Sequence, residues 1–198
     1  MSPPRTPEPV PRSGAMGKRE SSRSAAERIA LVLMDVDGVM TDGGIVFMDR
    51  RIEGRVFDAK DGVGIWLLHR AGILTGVLSG RDSLAVRRRT RELGMQEVHL
   101  KVRDKLKVYR AILRRRALTD SAVCYIGDDL VDIAVLARVG LSVAVADAHP
   151  EVRRVARLVT RAAGGKGAVR EVADLILKAQ GRMKALLDQL QGIDKRVS

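Results

Sequence analysis

The 198-residue chain has one cysteine, Cys124, and only three histidines. A single cysteine excludes an internal disulfide and suits a reducing compartment. Lying in Ala122-Val123-Cys124-Tyr125-Ile126, it reads as a buried strand residue rather than a nucleophile. His69, His99 and His149 lack metal-ligand spacing, so no imidazole or thiolate centre is expected. Aromatic residues make up 3% of the chain, which leaves Val, Leu, Ile and Ala to build the core. No apolar run approaches the ~20 residues of a membrane span, and the start of the chain has no apolar stretch of the signal-peptide kind. A cytoplasmic protein with no membrane partner is the expectation.

Acidic residues are outnumbered 24 to 36, and the surplus is local. Residues 81–116 carry thirteen Lys/Arg against four acids, and residues 1–28 six against three. Such a stretch reads first as a solvated helical face, then as a means of steering an anionic substrate. Nucleic acid is the least favoured partner, because Tyr109 is the only aromatic there for a base to stack on.

Residues 1–28 hold five of the six prolines and no apolar period, which predicts a disordered extension. The body of the chain, 29–182, alternates strand and helix patterns and predicts an α/β fold, a doubly wound parallel sheet. Buried strands are expected at 30–36, 73–78, 122–126 and 141–145, with shorter ones near 98–100 and 158–160. Helices are expected from Asp61 to Ala71, from an Asp82 cap to Leu93, from Asp104 to Arg116, from the acidic loop to about Val139, from Pro150, and from Ala168 to about Gly181. Two short runs flanking Asp49-Arg50-Arg51 predict a β-hairpin standing over the end of the first strand. Residues 183–198 read as a helical tail that frays.

The organising stretch is Leu31 to Gly43, a buried strand that ends in Asp35 and Asp37 followed by Gly38. Two carboxylates one residue apart at the end of a buried strand repel each other and resist desolvation; a dication compensates both. Two further strands also end in polar groups, Ser79 in one case and Asp128, Asp129 and Asp132 in the other, and Lys105 opens the helix between them. In a parallel sheet these strand ends share one edge. Hard oxygen donors without His or Cys point to magnesium, and a dication with one lysine and one hydroxyl suits phosphoryl chemistry. A non-catalytic anion-binding protein would have no need of the Asp35/Asp37 pair.

The motifs Asp35-Val36-Asp37-Gly38-Val39-Met40-Thr41-Asp42-Gly43, Leu78-Ser79-Gly80-Arg81, Asp104-Lys105 and Gly127-Asp128-Asp129-Leu130-Val131-Asp132 resemble, in order, the four motifs of the haloacid dehalogenase superfamily. Only a hairpin and one helix separate the first two, which resembles the capless members. The runs Phe57–Ile65, Gly140–Pro150 and Ala163–Val172 are similar to those of 3-deoxy-D-manno-octulosonate 8-phosphate phosphatases. Related phosphatases of nine-carbon sialic-type sugar phosphates share the first motif and the fold.

The resemblance implies Asp35 as nucleophile, Asp37 as general acid and base, and Ser79 and Lys105 as holders of the phosphoryl oxygens. It implies magnesium on Asp35, on the main-chain carbonyl of Asp37 and on Asp128, with Asp129 and Asp132 orienting water and Lys105 from behind. Asp58, Ala59, Lys60, Asp61 and Gly62 would line the sugar pocket, and Arg81 and Arg89 would meet the sugar's carboxylate, a task that suits the guanidinium fork. Trp66 stands where the octulosonate enzymes often carry arginine. The resemblance also implies a homotetramer with hairpins at its centre, and a Gly164–Gly167 segment that reaches a neighbour's site; as a sequence, that segment also reads as a flexible connection.

Overall fold

The computed structural model describes residues 22–49 and 52–194. Its strands are β1 (Leu31–Met34), β2 (Val46–Asp49), β3 (Ile52–Gly54), β4 (Leu74–Leu78), β5 (Glu97–His99), β6 (Val123–Gly127), β7 (Leu141–Ala144) and β8 (Leu158–Val159). Its helices are α1 (residues 22–26), α2 (Ala59–Arg70), α3 (Leu84–Glu92), α4 (Lys105–Arg116), α5 (Ile133–Leu136), α6 (Pro150–Val155), α7 (Ala168–Ala179) and α8 (Met183–Asp194). Six strands form a wholly parallel sheet in the order β5-β4-β1-β6-β7-β8, and β2 and β3 pair antiparallel apart from it.

The chain winds outward from β1 in one direction through β4 and β5, then returns to β6 and winds the other way. Right-handed crossovers therefore send helices to both faces, and α2 packs on α7 while α5 packs on α4 and α6. Every residue of β1 is fully buried, as a central parallel strand demands. The switch in winding direction lies between β1 and β6, where open sheets of this kind bind ligands beyond the strand ends.

Several expectations need correction. Residues 22–28 are not a loose extension: Ala25 and Ala26 are completely buried, and Gln180 Nε2 donates to the carbonyls of Ala26 (3.2 Å) and Ile29 (2.8 Å). Residues 1–21 lie outside the described residues, as does the hairpin turn at 50–51. Ser83, not Asp82, caps α3 by accepting from Val86 N, because Asp82 is engaged by both Nε and Nη2 of Arg87. The helix expected up to Val139 is only Ile133–Leu136; ahead of it Asp129 and Asp132 form a reciprocal cap that holds Leu130–Asp132 in a tight 3-10 turn. The helix expected from 183 is present as α8, and it does more than trail behind the domain, since it lays Leu186 into the core; residues 195–198 lie outside the described residues.

Candidate active site

Register brings the motif residues level. Met34 of β1 pairs with Val77 of β4 on one side and Ile126 of β6 on the other. Asp35, Ser79 and Asp128 therefore leave the same edge within two residues of one another. Between them lies a cavity of about 240 Å³ whose walls include Asp35, Asp37, Ser79, Arg81, Arg103 and Lys105. Two larger clefts lie elsewhere on the surface, away from the Asp35 and Asp128 carboxylates.

Lys105 Nζ sits at 2.7 Å from Asp35 Oδ2 and 2.7 Å from Asp132 Oδ1, a buried lysine bridging two buried acids. Tyr125 donates to the same Asp132 oxygen at 2.6 Å, and the other Asp132 oxygen accepts from Asp128 N at 3.1 Å. Asp35 Oδ1 accepts from Val36 N at 2.7 Å, which fixes the carboxylate's rotation. Burial pushes Asp35 up to about 6, against the pull of Lys105 and with the push of Asp132. Burial works against the charge on Lys105 too, but the two carboxylates outweigh it and hold the ammonium above its usual range.

The acids fit a magnesium ion. Asp35, Asp128 and Asp132 each offer a carboxylate oxygen, all within 4.8 Å of one another. Asp128 Oδ1 is buried with no hydrogen-bond partner, and burial together with the charges of Asp35 and Asp132 pushes Asp128 up to about 8. Gly38 (φ 94°) lies so close that any side chain there would overlap the Asp128 carboxylate. A cluster of crowded, undercompensated carboxylates made only of hard oxygen donors suits magnesium. Asp132 already accepts from Lys105, Tyr125 and backbone amides, and Asp35 from Val36 N and Lys105, so Asp128 Oδ1 is the unpartnered oxygen of the cluster.

Asp37 is held by a residue that sequence reasoning missed. Arg55, just past β3, reaches Asp37 Oδ1 through Nε at 2.6 Å, and its side chain is enclosed. Arg103 and Val131, in the cavity wall, and Tyr125 were missed as well. Only Tyr125 carried a signal: a hydroxyl inside an apolar strand needs a partner.

The other candidate residues divide. Arg81 lines the cavity; Arg89 does not, and instead places Nη2 at 3.4 Å from the Asp58 carbonyl and its guanidinium 5.9 Å from the Phe57 ring centroid. Asp58 caps α2 by accepting from Lys60 N at 2.6 Å, Ala59 and Lys60 are exposed, and Gly62 lies beneath Arg89. Asp61 is buried and turned to α7, accepting from Arg170 N at 2.8 Å and so capping a helix that lacks a cap of its own. Asp129 is exposed at its turn and does not join the acid cluster. Gly164 and Gly165, the first half of the Gly164–Gly167 segment, are buried and are no loose connection, while Lys166 is exposed. Gly165 N donates to Val39 O at 2.9 Å, and a Cβ at Gly164 would overlap the Gly38 carbonyl, so backbone lies on backbone. Much of the basic surplus is bound in structure: Glu97 is buried under Arg115 and Arg116, and Arg87 is paired with Asp82.

A sequence profile of the haloacid dehalogenase-like hydrolases matches residues 69–172. The chain is 42% identical over 167 residues to the 3-deoxy-D-manno-octulosonate 8-phosphate phosphatase of Escherichia coli K12, covering 84% of this chain and 87% of that one. The corresponding phosphatase of Yersinia pestis is 44% identical over 159 residues, 80% of this chain and 85% of its own. Among solved structures, the enzyme of Moraxella catarrhalis with magnesium, phosphate and KDO superposes with a TM-score of 0.84 at 35% identity, covering 87% of this chain and 98% of that one. The chain belongs to the haloacid dehalogenase-like hydrolases. Within that class its similarity runs to the 3-deoxy-D-manno-octulosonate 8-phosphate phosphatases.

Proposed function

We propose that the protein is a magnesium-dependent phosphatase that releases inorganic phosphate from 3-deoxy-D-manno-octulosonate 8-phosphate, in cytoplasmic synthesis of a lipopolysaccharide precursor. The observation that carries this reading is the bridge Asp35–Lys105–Asp132 at a cavity that also holds Asp37, Ser79 and Arg81. The named activity of relatives matched over most of both chains supports it.

In this reading an Asp35 oxygen attacks phosphorus, the bond from phosphorus to the sugar oxygen breaks, and Asp37 gives its proton to that oxygen. Water then attacks the aspartyl-phosphate, its proton passes to Asp37, and the bond between phosphorus and Asp35 breaks to free phosphate. Lys105 and Ser79 hold the non-bridging oxygens. Asp35, the Asp37 carbonyl and Asp128 would hold magnesium, which when bound would offset phosphoryl charge. Asp132 and Tyr125 keep Lys105 in place, and Asp129 orients water at the mouth. Arg81 meets the sugar's carboxylate from the cavity wall, while Arg89 with Asp58, Ala59 and Lys60 forms the farther side of the sugar pocket. The working unit is a homotetramer.

The test is phosphate release by the purified protein from the eight-carbon sugar acid 8-phosphate, a nine-carbon keto-sugar-acid 9-phosphate and simple sugar phosphates, with magnesium and with chelator. The highest kcat/KM is expected for the eight-carbon substrate, with turnover lost in chelator. Preference for the nine-carbon substrate, or no release from any, would overturn the assignment.

A further inference from the structure

We infer that Arg55 is the positioning residue for Asp37 and that, through Glu53, it couples the proton-transferring carboxylate to the substrate-facing Arg81. The inference rests on the phosphatase reading above, which gives Asp37 the proton transfers. Arg55 uses three nitrogens on two acids: Nε at 2.6 Å from Asp37 Oδ1, Nη2 at 3.4 Å from Asp37 Oδ2, and Nη1 at 3.1 Å from Glu53 Oε2. The second Glu53 oxygen accepts from Arg81 Nη2 at 3.0 Å. An unbroken ionic chain thus runs Asp37–Arg55–Glu53–Arg81, from a fully buried guanidinium to an arginine whose side chain is 47% exposed in the cavity wall.

Two features make this more than hairpin mortar. Asp35 is held by Val36 N and by Lys105, but among the described residues no group other than Arg55 bonds the Asp37 carboxylate. A carboxylate on a free rotor spends little time at the angle needed to hand over a proton, and a planar guanidinium contacting both oxygens fixes that angle. The chain also starts at the group that reads the substrate. A negatively charged sugar acid drawn to Arg81 competes with Glu53 for it, so occupancy of the sugar end is felt at Arg55 and hence at Asp37.

The two half-reactions allow a direct test on the full-length protein with magnesium. With p-nitrophenyl phosphate the nitrophenolate leaves as an anion when Asp35 attacks, so formation of the aspartyl-phosphate needs no proton from Asp37. Its hydrolysis still needs Asp37 to take the proton from water. For Arg55→Ala the expected result is a retained burst of about one nitrophenolate per site followed by turnover slowed about 100-fold, in the range that acid–base groups supply. On the octulosonate 8-phosphate kcat should fall by a similar factor with KM little changed. Arg55→Lys, which keeps the charge and serves where the alanine variant does not fold, should recover about tenfold of the loss. Glu53→Gln, which removes the competitor for Arg81, should lower KM for the sugar acid and leave KM for nitrophenyl phosphate, which has no carboxylate, unchanged. Loss of burst and turnover together in the folded Arg55 variants, or steady-state rates within about threefold of wild type, would overturn the proposal. Asp37→Asn is the reference: if it keeps full turnover, the reading of the site falls and the role of Arg55 falls with it.

Discussion

At the scale of single residues, the burial of charge decides what can be changed. Asp35→Asn keeps shape and removes the nucleophile, so turnover should drop to background. Because burial already opposes the Asp35 charge, the variant should melt within about 4 °C of wild type, the equivalent of about 1 kcal/mol; a larger fall would show that the Lys105 bridge is needed for folding. Asp61 gives a pH signature. Burial holds its pKa at about 6 against the usual 3.8, partly offset by amides at the start of α7. Between those values the folded chain binds more protons than the unfolded one, so the contribution of Asp61 to stability is full below the lower value and is lost as pH rises through 6. Asp61→Asn does not titrate, so in urea unfolding wild type should lose about 1–3 kcal/mol relative to the variant between pH 4 and 7. A pH-independent difference would remove Asp61 from that role. Asp35, Asp37, Ser79, Lys105 and Asp128 could be read from the sequence because parallel register alone brings strand ends to one edge. Arg55 could not: an arginine beside a hairpin strand looks like any solvated cation until folding sets Asp37 against it. Asp61 looked like part of the pocket because an Asp-Gly pair at a helix start gives no sign of capping a helix 109 residues away.

At the scale of elements, strands and helices with a pattern in the sequence were legible, short ones such as β5, β8 and α6 included, and what was missed is set by tertiary contacts. Ala25 and Ala26 show no amphipathic period, yet they fill the space beside α7 and are tied down by Gln180. Removing residues 1–28 should therefore cost about 1–3 kcal/mol from lost apolar burial and hydrogen bonds, measured by urea unfolding, and an unchanged midpoint would show that α1 is dispensable. The loop that carries Asp37 is pressed from outside by Gly164 and Gly165, whose backbone touches Gly38 and Thr41. Asp61 at the start of α7 and the Gly165–Val39 hydrogen bond thus hold one end of α7 and the catalytic loop in a common frame. Gly164→Ala should displace that loop, destabilise by about 2–3 kcal/mol through overpacking, and reduce kcat. Gly192→Ala, in α8 with open space around it, should instead gain up to about 1 kcal/mol from helix propensity. Equal behaviour of the two variants would argue against the clamp.

At the scale of the whole molecule, the hairpin is the part that a single chain leaves incomplete. Val46, Phe47, Met48 and Val56 are all more than half exposed, with Phe47 at 71%. A lone two-stranded ribbon is marginal in water, and this one is fastened to the body chiefly by charged contacts, Arg55 to Asp37 and Glu53 to Arg81. An apolar ribbon of that kind, exposed on both sides, on a protein without a cap domain is the signature of a surface meant to be covered. Copies of the hairpin meeting about a symmetry axis would bury it, shield the open side of the cavity from water, and hold Arg55 rigid over Asp37. Trp66 and Val63, exposed on α2, extend the apolar surface that such an assembly could use. Light scattering on the purified protein should accordingly give the mass of four chains. Phe47→Glu, which puts a charge in the middle of that ribbon, should yield smaller species whose kcat falls because Asp37 is less firmly held, while the isolated chain keeps its secondary structure by circular dichroism. A monodisperse monomer with full activity, in wild type or in the Phe47→Glu variant, would sink the tetramer and leave the hairpin as a flap that works alone.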